Sequence, residues 1–327
     1  MSATEFLADL HAKPAALARL AGHLTRPGLL DAIPERPERV VLLGMGSSLY
    51  AAHVSAARLR AAGIAASAEL ASAEVGTPPG PGTLALAISA NGSSVETLAA
   101  AERHRGRSRL VVITNRPDAP LAALGDATIE LMAGEEVSGV ACRTFQHTLL
   151  LLRAVEARLT ATDPGDLPGL THRVAESTAW LLGHEAEWRP GVADALDGPD
   201  GVAVLAPAER ISSALQSALM VRESPRRPGV GSETGEWAHV DVYLTKTLDY
   251  RALLLAGSRW DDQALDWLRR RGSMVVVVGR EVPDAAVTLR YPGDDDPAVA
   301  AATETLIAEL VAARWHEAQA AAERTSA

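Results

Sequence analysis

The stretch AISANGSSVETLAA, residues 87–100, gathers Ser89, Asn91, Ser93 and Ser94 between an apolar run and a helix-like segment. Hydroxyls and an amide at a strand-to-helix corner can donate hydrogen bonds to an oxyanion. The free N–H groups of the helix's first turn add to them. A second corner of the same kind is GMGSS, residues 44–48. Its glycines let the backbone approach a ligand, and Ser47 and Ser48 open the next helix. In a parallel sheet all strand C-termini meet at one edge, where ligands bind. Ser48 is therefore expected to converge with Ser89, Asn91 and Ser94 on a phosphate, while Gly46, Ser47 and Gly92 shape the backbone around it. Two rival readings of GMGSS fail: the third glycine of a dinucleotide fingerprint falls at Leu49, and no Gly-Lys-Ser/Thr occurs. Taken alone, each corner also reads as a turn with a helix cap. Two in one domain are harder to explain that way.

The elements that would hold these corners can be read from periodicity. RVVLLGMGSS (39–48) is a continuous apolar run ending in Gly and Ser, as expected of a strand buried on both faces. ASAELASAE (66–74), TLALAISA (83–90), RLVVITN (109–115) and ATIELM (127–132) are further strand candidates. Helical spacing covers 49–62 and 94–105, and a long helix is expected over 136–159. TATDPGDLPG (160–169) reads as a linker, followed by a helix over 170–195. Beyond it, 201–207, 251–257, 274–279 and 285–292 read as strands. Residues 208–223, 260–271 and 297–320 read as helices. The second half repeats the order of the first. The expectation is α/β, with two domains that each carry a parallel sheet flanked by helices in a flavodoxin-like arrangement. The first domain spans 1–160 with the N-terminal helix, and the second spans 170–327.

The chain has 327 residues and a formal charge of -10. That acidity argues against a nucleic-acid binder. It leaves room for an anionic ligand held by backbone N–H groups and hydroxyls. The single cysteine, Cys142, excludes an intramolecular disulfide and a cysteine-cluster metal site. It is expected to be a buried small residue. The N-terminus carries early acids and is no signal peptide, and no long uncharged apolar stretch suggests a membrane span. A cytoplasmic protein with no metal or cofactor is the expectation.

These residues resemble the SIS (sugar isomerase) domain family. GMGSSLYAA is similar to that family's Gly-Thr-Ser strand end, ISANGSSVETLAA to its Ser-Gln-Ser-Gly-Glu-Thr loop, and GEEVSGVACRTF (134–145) to the segment closing the first domain. FLADLHAKPAAL (6–17) is similar to the entry helix. The segment ALQSALMVRESPRRPGVGSETGEWAH (214–239) resembles the isomerase half of glucosamine-6-phosphate synthases. Two tandem SIS domains and a homodimer, with a pocket completed near the subunit interface, are what this resemblance implies. It places Ser48, Ser89, Asn91 and Ser94 on phosphate-binding positions, although Ala90 and Asn91 replace the family's Gln-Ser pair. Glu223 falls on the catalytic glutamate that moves a proton between C1 and C2, and His239 on the histidine associated with ring opening. Chemistry agrees, since an enediol route needs a proton shuttle and help with ring opening. A carboxylate partly desolvated at a helix end has a pKa suited to that task. Taken without the resemblance, Glu223 also reads as a helix-end acid paired with Arg226 or Arg227, and His239 as a loop histidine.

Some positions depart from the synthase pattern. The sequence starts at the SIS region, without a glutaminase. Its end, HEAQAAAERTSA, carries no lysine, and Met220 stands where the synthase helix has one. Val240 and Asp241 follow His239 in place of Gly-Pro. These departures argue against Schiff-base transamination. The expected function is a phosphosugar isomerase, or an aminosugar-phosphate isomerase/deaminase, acting on a hexose 6-phosphate. The alternatives are a non-catalytic phosphosugar sensor and the ammonia-using subunit of a split synthase.

Overall fold

The computed structural model describes residues 2–163 and 165–326. Pro164, inside the expected linker, lies outside them. The chain opens with α1 (Ala3–His11) and α2 (Lys13–Leu24). The first sheet is built from β1 (Arg39–Gly44), α3 (Ser47–Ala61), β2 (Ala66–Leu70), β3 (Thr83–Ser89), α4 (Val95–His104), β4 (Arg109–Thr114), β5 (Ala127–Glu130) and α5 (Arg143–Thr160). Then follow α6 (Leu167–Gly183), α7 (Glu185–Leu196), β6 (Val202–Ala206), α8 (Ile211–Glu223), β7 (Gly229–Glu233) and α9 (Thr234–Trp237). The chain closes with β8 (Arg251–Leu255), α10 (Asp261–Arg270), β9 (Met274–Val278), β10 (Val287–Leu289), α11 (Pro297–Thr303) and α12 (Thr305–Ser326).

Both sheets are five-stranded, and every strand pairing is parallel. The first runs β2-β1-β3-β4-β5 and the second β7-β6-β8-β9-β10. Counted within each half, both orders are 2-1-3-4-5, the flavodoxin-like arrangement. The expectation of two parallel sheets with helices is met. All seven residues of β3 are buried, and in β1 only Arg39 is exposed. Strands covered on both faces tolerate no alternation, which is why these two read as unbroken apolar runs. No helix among the described residues is long and apolar enough to cross a membrane.

Several boundaries differ from the sequence expectation. The helix expected from residue 136 begins at Arg143. Glu136 instead caps it: its Oε1 accepts the N–H groups of Cys142 and Arg143 at 2.8 and 2.6 Å, and its Oε2 accepts the Thr144 hydroxyl at 2.7 Å. A carboxylate at a helix N-terminus satisfies donors that the helix cannot. Cys142 is buried, as expected. The helix expected over 170–195 is two, divided at His184, and that over 297–320 is divided at Glu304. β7 lies outside the strands expected from sequence.

The chain divides into two compact units. The first-sheet unit is Ala15–Glu136 with Ala141–His172. The second-sheet unit is Met1–Pro14, Val137–Val140 and Arg173–Ala327. This corrects the expectation that the N-terminal helix belongs with the first sheet and that 160–170 separates the halves. Phe6 and Leu10 of α1 are fully buried. Lys13 Nζ meets Glu309 Oε2 of α12 at 2.6 Å, with both side chains inaccessible to water. Asp9 draws Val137 and Ser138 into the same unit by accepting their N–H groups at 3.2 and 2.8 Å. These are the forces that override sequence proximity.

Removing one member of a buried ion pair leaves the other charge uncompensated, which costs about 3–5 kcal/mol. Lys13→Met should destabilise the protein on that scale in chemical denaturation. The double variant with Glu309→Leu should recover a large part of the loss. A double variant as unstable as the single would show that the pair is not what ties α1 to α12.

Candidate functional site

Strand order selects where a ligand can sit. In a 2-1-3-4-5 sheet the chain turns to opposite sides after strands 1 and 3, and a crevice opens at their carboxyl ends. The first sheet places residues 45–48 and 90–94 there, because β1 pairs with β3 in the register Leu43↔Ala87. Gly46 takes φ 50° at the entry to α3, and Ser47 is buried while Ser48 is half-buried. Within the second corner the side chains are tied together. Ser89 Oγ donates to Asn91 Oδ1 at 3.3 Å and accepts the Gly92 N–H at 3.2 Å. Asn91 Oδ1 also accepts the Ser93 N–H at 3.1 Å. Ser94 caps α4, accepting the Thr97 N–H at 3.3 Å. Gly92 has φ 63°, and its carbonyl accepts the Leu121 N–H at 3.0 Å. The sequence-selected residues Ser89, Asn91 and Gly92 thus form one hydrogen-bonded corner, followed by Ser94 as the cap of α4, with Gly46, Ser47 and Ser48 at the end of the adjacent strand.

Two supporting groups escaped the sequence reading. Thr114 and Asn115, at the end of β4, hold the corner from the far side. The Thr114 hydroxyl and the Asn115 N–H both donate to the Ala90 carbonyl, at 3.3 and 3.1 Å. Glu96 accepts the Ser94 hydroxyl at 2.8 Å. The polar pair closing VVITN was the available signal for the first.

The corresponding crevice of the second sheet is filled by the protein's own charges. Arg210, just after β6, donates from Nε to Glu304 at 3.0 Å and from Nη2 to the Ala256 carbonyl at 2.6 Å. Asp261 accepts the Gly257 N–H at 2.7 Å. Arg210, Glu304 and Asp261 are all buried. A β-carbon added at Gly257 would lie 2.9 Å from the Arg210 guanidinium. The two sheets share a topology, but at this edge the second places the charged side chains of Arg210, Asp261 and Glu304.

Glu223 is the last residue of α8, in the second-sheet unit. The turn that follows is tied at nearly every polar group. The Ser224 hydroxyl meets His316 Nδ1 at 3.3 Å, and the Pro225 carbonyl accepts from Gln319 Nε2 at 3.0 Å. The Arg227 N–H donates to the Val221 carbonyl at 3.1 Å. The Arg227 guanidinium pairs with Asp197 and lies 4.6 Å from the centre of the Trp315 ring. Arg226 is held at φ 55°, a left-handed conformation uncommon for a side-chain-bearing residue. Among the described residues the Glu223 carboxylate takes no hydrogen bond or ion pair, so the pairing with Arg226 or Arg227 weighed from sequence is not formed. Its side chain reaches solvent, yet the helix end crowds the carboxyl. This desolvation raises its pKa above the usual 4.5, with Arg222 opposing. His239 is exposed in the turn after α9, its N–H donating to the Glu236 carbonyl at 2.8 Å. Glu223 precedes β7 and His239 follows it, and five extended residues span roughly 16 Å.

Residues 35–157, which contain the whole first crevice, match the family model of the SIS domain. The model does not reach the second sheet, which repeats the first one's strand order. The glutamine–fructose-6-phosphate aminotransferase (isomerizing) of Aeropyrum pernix is 27% identical over 309 residues, covering 88% of this chain and 50% of that protein. The chain thus spans about half the length of that curated relative. Among solved structures, the C-terminal domain of glucosamine-fructose-6-phosphate aminotransferase from Francisella tularensis superposes with a TM-score of 0.81 at 16% identity, covering 96% of each chain. The tagatose-6-phosphate ketose/aldose isomerase from Escherichia coli gives 0.78 at 19%, covering 98% of this chain and 94% of that one. These structures share the fold.

A β-carbon at Gly92 would lie 2.7 Å from the Ala119 β-carbon and 3.0 Å from Thr114 Oγ1, on a backbone already left-handed. Gly92→Ala should therefore cost about 1–3 kcal/mol of stability in chemical denaturation. A neutral substitution would mean that the corner is not held as described.

Proposed function

We propose that the chain is an isomerase of phosphorylated sugars: an aldose–ketose isomerase, or an aminosugar-phosphate isomerase/deaminase, acting on a hexose 6-phosphate. The observation that carries this reading is the pair of Ser- and Gly-rich strand ends at the first sheet's strand-order reversal, inside the segment that matches the SIS domain. Backbone N–H groups, hydroxyls and an amide suit a phosphate. Several relatives by sequence or fold are named for reactions of sugar phosphates.

In this reading the crevice holds the phosphate and Glu223 carries the proton. The Glu223 carboxylate removes the proton on the carbon next to the carbonyl, giving an enediol, and returns it to the neighbouring carbon, so it ends as it began. His239 assists ring opening by moving a proton between the ring oxygen and the anomeric hydroxyl. The separation of Glu223 and His239 along β7 supports a second copy of the chain as part of the working enzyme, with the partner's His239 serving this chain's Glu223. The exposed apolar side chains of Val230, Val240, Tyr243 and Leu244 give such a copy something to bury. A second reading, a sensor that binds without turnover, is favoured by the same separation if the chain works as a monomer.

Solvent-deuterium exchange into hexose 6-phosphates, followed by NMR, tests the reaction without knowledge of the product. Wild type should exchange the proton at C2, and Glu223→Gln should lose about 10²–10⁴-fold. The acid limb of the wild-type rate should lie above pH 4.5, because a raised pKa means that the carboxylate is protonated, and lost as a base, before an ordinary glutamate would be. Exchange that survives in Glu223→Gln removes it as the base. No exchange with a ligand that binds favours the sensor.

Sedimentation at micromolar concentration should show a dimer, and Tyr243→Asp with Leu244→Asp should shift it towards monomer. A wild type that sediments only as monomer argues against the shared pocket.

A further inference from the structure

The Ser94 hydroxyl is fully engaged in the ligand-free protein. A serine hydroxyl has one proton to donate and two lone pairs. Both lone pairs face Thr97, accepting its N–H at 3.3 Å and its hydroxyl at 3.2 Å. The proton goes to Glu96 Oε2 at 2.8 Å. A ligand oxygen can take that proton only by replacing Glu96. The carboxylate occupies, at the N-terminus of α4, the kind of position that helix-end partial charge makes favourable for any anion. Its side chain is solvent-exposed, so on release it swings into water without burying a charge.

From this geometry we infer that Glu96 is a displaceable internal occupant of the first-sheet crevice, and that a ligand oxyanion binds by taking the Ser94 hydroxyl from it. The inference rests on the phosphate-binding reading above and adds a determinant of affinity to it. Two consequences follow. The Ser94 hydroxyl keeps an acceptor when the crevice is empty. Affinity is a difference between two anions competing for one donor, so the ligand is held more loosely than the same crevice without Glu96 would hold it. A neutral sugar offers no charge to match the carboxylate and is disfavoured against a phosphorylated one.

The test is calorimetric titration of glucose 6-phosphate and of inorganic phosphate at fixed ionic strength. The proteins are wild type, Glu96→Gln, Ser94→Gly and the double variant, with Ser89→Ala alongside. Glycine removes the Ser94 hydroxyl yet remains an acceptable helix cap. Glu96→Gln should bind both anions about 3- to 10-fold more tightly, the range expected of an exposed charge at a helix terminus. In the Ser94→Gly background the same change should gain little, because the competition runs through that hydroxyl. Unchanged or weaker binding by Glu96→Gln overturns the proposal. So does an equal gain with and without the hydroxyl, which would reduce Glu96 to a general repulsive charge. Failure of the phosphate reading looks different: no variant binds either anion, or Ser89→Ala and Ser94→Gly both bind as wild type does.

Discussion

Burial of β3 on both faces is the constraint from which the rest follows. A strand with every residue covered cannot display a functional group along its length, since a polar side chain there would be desolvated without a partner. Chemistry is pushed to the strand's end, where the backbone leaves the sheet and helix-terminal N–H groups become available. Parallel pairing then puts the ends of β1, β3 and β4 at one edge, and strand order opens the crevice between the first two. The Ser89–Gly92 corner, the Ser94 cap on α4 and the Thr114–Asn115 brace are all consequences of that exclusion.

The two sheets show how one topology can be used in two ways. The first leaves its crevice lined by groups small enough to admit a ligand. The second closes the equivalent place with a guanidinium and two carboxylates, paired to each other and to backbone groups. Buried charges of this kind must be mutually satisfied, so the second crevice is committed to holding α11, α12 and the β8 end together. Duplication of an architecture thus does not duplicate a site.

Much of this was legible in the sequence because it depends on local pattern. Continuous apolar runs gave β1 and β3, and Gly and Ser at their ends gave the crevice. What escaped depends on contacts that local pattern does not carry. β7 holds glycine at 229 and 231 and has no alternation, so nothing in its pattern marks a strand. Its glycines let α8 lie against the sheet: a β-carbon at Gly231 would fall 2.6 Å from the Ala214 carbonyl oxygen, and one at Gly229 2.8 Å from that of Ala218. Glu136 read as a helix residue because a helix former and a capping acceptor are the same amino acid. The assignment of α1 was missed because Lys13 and Glu309 lie far apart in sequence, and the second-sheet unit that they join is not contiguous.

That non-contiguity makes the first-sheet unit an insertion within the other. As the chain leaves the ribosome, the first-sheet unit can close on itself once residue 172 is out. The helix formed by residues 3–11 meanwhile carries Phe6 and Leu10, which pack in a unit that also needs α12, made much later. Until then association with other surfaces competes with folding for its apolar face. The meeting of α1 and α12 is a contact of very high sequence separation, of the kind that loop closure makes slow. The buried Lys13–Glu309 pair can form only when that meeting is made.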